Sequence, residues 1–162
     1  MGSAESFGEL AGALDYPMYV VTAAADGERA GCLVGFTTQC SISPARFLVC
    51  LSHQNHTYRV ASRSPMLAVH VADERHAELA RLFGSETGDD IDKFARCRWE
   101  PGPDGTPLLV DLPARFVGRV IDRVELGDHL GFVLDLVDAD AVPDLRPLTF
   151  QHIRQLDPGH PA

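Results

Sequence analysis

Two long β-prone runs hinged on one tight turn constrain this chain more than any other feature: Ala114 to Glu125 and Leu130 to Val142 flank Gly127-Asp128. A Gly-Asp pair tolerates the positive φ angles that a short hairpin needs, so the two runs pair as an antiparallel ribbon. The remaining runs are shorter and follow the same logic. Tyr19 to Ala23 and Arg29 to Val34 are joined by Asp26-Gly27, another turn signal. Gln39 to Ile42 and Phe47 to Leu51 are parted by Ser43-Pro44-Ala45, where proline removes a donor and enforces a turn. Met66 to Val71 reads as a further strand and Leu148 to Phe150 as a last one, ahead of a fraying Pro- and Gly-containing tail.

Helical spacing is sparse. Phe7, Leu10, Ala11 and Leu14 predict a short helix packed against the domain, Asn55 to Ser62 is compatible with another, and Glu74 to Phe83 is a third. From Gly84 to Pro107 the composition turns to Gly, Asp, Pro and charge, which predicts a long surface excursion pinned by Ile91, Phe94 and Trp99. Short strands without βα alternation predict a mainly β fold, a closed or nearly closed antiparallel barrel, in a single domain spanning residues 1–162.

Several functions are disfavoured at once. A net charge of −9 over 162 residues, with no basic stripe, opposes nonspecific nucleic-acid binding. No apolar run approaches the roughly 20 residues of a membrane span, and the N-terminus has no signal-like pattern, so a soluble cytoplasmic protein is expected. Cys32, Cys40, Cys50 and Cys97 contain no C-x-x-C pair and read as buried free thiols. His53 and His56 lack a third ligand at convincing spacing, so no metal is expected. Neither a G-x-G-x-x-G nor a P-loop is present, and any nucleotide must be held by other means.

Three clusters carry possible chemistry. Gly35 to Pro44 contains Thr37, Thr38, Gln39, Cys40 and Ser41, a row of small side chains against which a flat ring could lie; the same row suits an edge strand with hydroxyls in solvent. Ser52, Asn55, His56, Thr57 and Arg59 follow a strand and open a short helix, where donors could hold a phosphate or simply cap. His129 follows the Gly127-Asp128 turn, where it could orient a nicotinamide, supply a proton, or remain a surface histidine. Arg81 and Phe83 end the third helix, and Phe83 also suits a core.

In this order the pieces resemble the flavin reductase-like family of FMN-binding split barrels, over roughly Tyr16 to Arg154. Tyr16-Pro17-Met18-Tyr19-Val20-Val21-Thr22 is similar to the family's Tyr-Pro-x-x-Val-Val-Val-Thr strand, and Thr37 to Ala45 to its Ser/Thr-rich strand ending Ser-Leu-Asp-Pro-Pro. A Leu-Val-x-Cys-Leu strand, a Thr-containing loop, an Ala-x-x-Phe helix end and Gly-Asp-His follow. Ser43 and Ala45 replace the family's Asp and second Pro, Thr37 stands where Phe is common, and His70 where Asn is frequent.

The resemblance implies an antiparallel split β-barrel of Greek-key type with a few short helices. It implies flavin contacts from Thr37, Thr38, Cys40 and Ser41, phosphate contacts from Ser52, Asn55, His56 and Thr57, further contacts from Arg81 and Phe83, and a nicotinamide-side role for His129. It also implies hydride transfer from NADH or NADPH to FMN, a homodimer, and a monooxygenase partner. Two other readings stay open: a non-catalytic flavin carrier or regulatory barrel, and a reductase using a deazaflavin.

Overall fold

The computed structural model describes residues 2–85 and 91–154. The tail beyond Arg154, where fraying was expected, lies outside the described residues, as does part of the Gly84 to Pro107 segment. The elements are α1 (Ser3–Ala13), β1 (Tyr19–Ala25), β2 (Glu28–Val34), β3 (Thr37–Ser41), β4 (Arg46–Ser52), α2 (His56–Ala61), β5 (Met66–Val71), α3 (Ala77–Ser85), β6 (Trp99–Pro101), β7 (Pro107–Leu109), β8 (Arg115–Glu125), β9 (His129–Asp140) and α4 (Phe150–Ile153). Seven strands form one antiparallel sheet in the order β2-β1-β5-β8-β9-β4-β3, and β6 pairs with β7 beside it.

Chain order explains why this sheet curls. β2 and β3 lie at opposite edges of the sheet, yet only Gly35 and Phe36 separate them in sequence. Two residues cannot span a flat seven-stranded sheet, so the edges must be brought face to face, leaving a seam between them. This is a split barrel. Gly35 is needed at the crossing because a Cβ there would lie 2.7 Å from the Tyr16 ring.

The turns follow the sequence. Asp26 (φ 54°) and Gly27 (φ 79°) both take positive φ, as the right-handed twist of the β1–β2 hairpin requires. Register shifts between Val117 and Gly118 and between Val120 and Asp122 bend the long β8–β9 ribbon.

β1 is buried on both faces. Val21 points into the barrel with Val49, Leu51, Val69 and Phe132, whereas Val20 points outward into a second cluster with Phe83, Phe94, Leu109 and Leu112. That second cluster corrects the reading of Gly84 to Pro107 as a surface excursion. Its described part folds back on the sheet through Phe94 and β6–β7, and Lys93 is buried with Nζ donating to the carbonyls of Gly31 (3.1 Å) and Phe83 (2.9 Å). His70, fully buried, completes the attachment: Nδ1–H donates to Val20 O (2.9 Å) and Nε2 accepts from Leu109 N (3.0 Å). Both bonds together require the neutral ring with its proton on Nδ1.

Three other expectations are corrected. α1 forms but buries none of its residues, and Phe7, Leu10 and Leu14 stay 69%, 61% and 55% exposed. Leu148 to Phe150 is no strand; Thr149 makes an isolated bridge to Pro17 and Phe150 starts α4. Cys40 is exposed because a register shift between Gln39 and Ser41 turns it out of the ladder, and Cys50 and Cys97 are only partly buried, although all four thiols are free.

Candidate functional site

β3 is paired on one side only, with β4, and its other edge faces the seam. There the chain forms a cleft of about 570 Å³ lined by Tyr16, Pro17, Tyr19, Gly35, Phe36, Thr37, Thr38, Gln39 and Phe47. Thr37 pairs with Val49 and Thr38 with Leu48, so alternation sends the two side chains to opposite faces of the edge strand. Thr38 is exposed with its hydroxyl donating to Gln39 O (3.1 Å), and Ser41 stands opposite Arg46. Burial raises the Tyr19 phenol above its ordinary value, with the Thr37 hydroxyl working against that rise. The cleft thus combines aromatic walls with small hydroxylated residues, the composition that receives a flat ring.

At the far end of β4, Ser52 stands opposite His129 in the β4–β9 ladder. This register brings the loop before α2 to the β8–β9 turn, and His53 N donates to Asp128 O (3.0 Å). Within the loop, Asn55 Oδ1 accepts from Thr57 N (2.8 Å) and Ser52 Oγ from Gln54 N (3.2 Å). Ser52, Asn55 and Thr57 are all buried and shape the loop from beneath. Cys32 lies under them, its thiol pushed up by burial and opposed by the Thr57 hydroxyl.

Among the loop's other polar side chains Gln54 and Arg59 are exposed, and His53 and His56 are partly buried. His56 lies between Arg59 (3.2 Å from Nδ1) and Glu28 (3.3 Å from Nε2). His53 Nε2 lies 3.3 Å from Glu125 Oε2 but is not aligned for a hydrogen bond, so a buried polar atom is left for another partner. Each histidine of the loop thus already faces a carboxylate, Glu125 for His53 and Glu28 for His56.

His129 is largely covered, with Asp128 Oδ1 2.7 Å from its Nδ1 and the Phe36 ring at 5.1 Å between centroids. The His129 bond holds the Asp128 carboxyl below the usual carboxylate range. With Nδ1 fixed, the ring's remaining nitrogen is Nε2.

The structure gathers Thr37, Thr38, Cys40 and Ser41 on β3, and Ser52, Asn55, His56, Thr57 and His129 around one loop. Arg81 is exposed on α3. Phe83 is only 1% exposed, packed on Gly31 where an added Cβ would meet its ring at 2.7 Å, so within one chain it serves the core and shows no face to a ligand. Sequence reasoning missed the aromatic wall of Tyr16, Tyr19 and Phe47 and the pairing of His53 with Glu125. Phe36 just before the hydroxylated row and Phe47 after it were the available signal for part of that wall.

A split antiparallel barrel with a hydroxyl-lined cleft on its edge strand and a donor-rich loop at the barrel's end defines a ligand-binding barrel. The flavin reductase like domain matches residues 11–158, and the chain belongs to that family. It is 26% identical over 148 residues to the ferric-chelate reductase (NAD(P)H) of Archaeoglobus fulgidus, covering 90% of this chain and 88% of that protein. It is 35% identical over 99 residues to the FMN reductase (NADH) RutF of Bradyrhizobium diazoefficiens, covering 59% of this chain and 54% of that protein. The chain thus spans only about half of that relative's length. In fold it is similar to the NADH:FAD oxidoreductase SgcE6 of Streptomyces globisporus, with a TM-score of 0.82 at 23% identity over 91% of this chain and 87% of that one. No helix among the described residues is long and apolar enough to cross a membrane.

Proposed function

We propose that the chain is an NAD(P)H-dependent flavin reductase that seats FMN along β3, with the phosphate toward the loop of residues 52–59. The observation that carries this reading is the unpaired edge of β3 beside a cleft walled by Tyr19, Phe36 and Phe47, where Phe36 packs on His129 and His129 stands opposite Ser52 at the start of the loop. The names of the relatives, an FMN reductase (NADH) and a ferric-chelate reductase (NAD(P)H), support the same chemistry. A bound flavin supplies a two-electron acceptor for hydride.

The protein's own contribution is placement. Thr38 and Ser41 offer hydroxyls to the flavin side, and the buried Ser52, Asn55 and Thr57 keep the phosphate loop in shape. His129, its Nδ1 held by Asp128, directs the ring toward the nicotinamide side. Two copies of the chain form the working unit, supported by the exposed apolar side chains Ile121, Val124, Leu126, Leu136 and Val137 on β8–β9 and the turn between them. A partner monooxygenase consumes the reduced flavin, a role supported by the family resemblance. The setting is the cytoplasm, in keeping with four free thiols.

Absorbance tests the reading. Purified protein loaded with FMN should show flavin bands that bleach anaerobically on adding NADH or NADPH. Stable bands that ignore both would mark a non-catalytic carrier, and protein that takes up no FMN would overturn the flavin assignment.

A further inference from the structure

Phe36 is an exposed aromatic on a firmly held piece of backbone. It stands on the two-residue crossing between β2 and β3, where Cys50 N donates to Phe36 O (2.9 Å) and Thr37 N to Gly35 O (3.1 Å), a three-residue turn with Phe36 at its apex. Gly35 beside it is crowded by the Tyr16 ring, so the crossing has no room to shift that way. The side chain is nevertheless 56% exposed, and among the described residues it enters none of the buried clusters. Core packing does not account for this ring.

Its contacts do. Phe36 lies one step beyond the Thr37–Val49 pair and therefore level with Cys50, Cys50 stands opposite Gly131, and alternation along β9 returns His129 to the face of Gly131. The four residues thus share one face of the sheet. The two intervening positions carry only a thiol and a hydrogen atom, which lets the Phe36 ring reach across β4 to the imidazole, and the rings meet at 5.1 Å between centroids with a tilt of 42°. The same Phe36 ring lines the cleft given to the flavin, so the cleft and His129 meet at this side chain.

Asp128 holds the imidazole by one edge, 2.7 Å from Nδ1, from an exposed turn. A single hydrogen bond fixes one ring atom and leaves the plane of the ring free to tilt about it. A flat face laid against the imidazole removes that freedom. Resting on the nicotinamide-side reading of His129, we propose that Phe36 is a positioning residue for hydride transfer: Asp128 holds the edge of the imidazole, Phe36 holds its face, and Nε2 is thereby presented in a single direction at the border of the cleft.

Steady-state oxidation of NADH and titration with FMN test this on the full chain. Phe36→Ala should match wild type by circular dichroism, because the ring is exposed, and should lower kcat by about tenfold while KM for NADH and the FMN dissociation constant stay within about twofold. Phe36→Tyr, which restores a flat face, should recover kcat to within about twofold of wild type, whereas Phe36→Leu, which has bulk without a flat face, should not. In Phe36→Ala/His129→Ala the loss should be no greater than in His129→Ala alone, because no imidazole is left to hold. Losses that multiply in the double variant overturn the proposal. Weakened FMN binding with kcat unchanged also overturns it and makes Phe36 a wall of the cleft only; a lower KM for NADH with kcat unchanged overturns it and makes the ring a plug in the nicotinamide's place. A slow His129→Ala beside a fast Phe36→Ala removes the role of Phe36 alone, whereas a His129→Ala as fast as wild type removes the nicotinamide-side role of the histidine, and the positioning with it.

Discussion

Leu109 N–H ends on Nε2 of His70, 3.0 Å away, so a loop segment distant in sequence is tied to the barrel through an acceptor that exists only while the imidazole is neutral. Burial lowers His70 from the ordinary 6.5 to about 4, the bond to Val20 O opposes this, and Arg115 nearby adds to the lowering. Arg115 Nη1 also donates to Leu109 O (3.1 Å), so a protonated His70 would lose its acceptor and face a second cation.

The sign follows. Below pH 6.5 the unfolded chain takes up a proton at this residue while the folded chain resists until about pH 4, so stability is full above 6.5 and falls as pH drops through that window. The loss amounts to about 3 kcal/mol at the acid end. Urea unfolding at a series of pH values should show this slope, and His70→Gln should flatten it. An equal slope in the variant would assign the acid sensitivity elsewhere.

Lys93 holds the carbonyls of Gly31 and Phe83 from a buried position. Lys93→Met keeps the aliphatic stem but removes the ammonium and with it both hydrogen bonds, and should cost about 2 kcal/mol of stability. The measurement is the urea midpoint at constant slope. An unchanged midpoint would mean that desolvating the ammonium cancels its hydrogen bonds.

For His129, exchange to Ala should reduce NADH turnover by about tenfold to a hundredfold with flavin still bound. Steady-state oxidation of NADH and the visible flavin spectrum are read on the same sample. Undiminished oxidation would remove His129 from the reaction.

Thr38 is exposed on the edge strand and lines the cleft, so Thr38→Leu disturbs no core. The added bulk should raise the FMN dissociation constant by about tenfold. Quenching of FMN fluorescence on titration measures it; an unaltered constant would move the ring off this part of β3.

Hairpins were readable from sequence because turn chemistry is local: Asp26-Gly27 and Gly127-Asp128 announce themselves without reference to the rest of the chain. β1 and β5 were readable for a related reason, since burial on both faces leaves a run that is apolar except for the buried Thr22 and His70. The Lys93–Leu112 segment was not, because its attachment depends on single residues meeting distant partners: Phe94 on Phe83, Lys93 on Gly31, Leu109 on His70. Phe83 was ambiguous because helical spacing alone cannot say whether an aromatic faces a core or a ligand. At the candidate site, Thr37 to Ser41 stood out by composition, whereas the meeting of Ser52 with His129 is a matter of register across 77 positions that only the folded sheet fixes.

The open edge of β3 also bears on handling of the protein. An unpaired strand edge next to an exposed Ile42 can extend the sheet of another molecule, and protection rests on a short strand, the Cys40 bulge and Pro44 just beyond it. Access for a ligand and resistance to aggregation therefore compete for the same row of backbone groups.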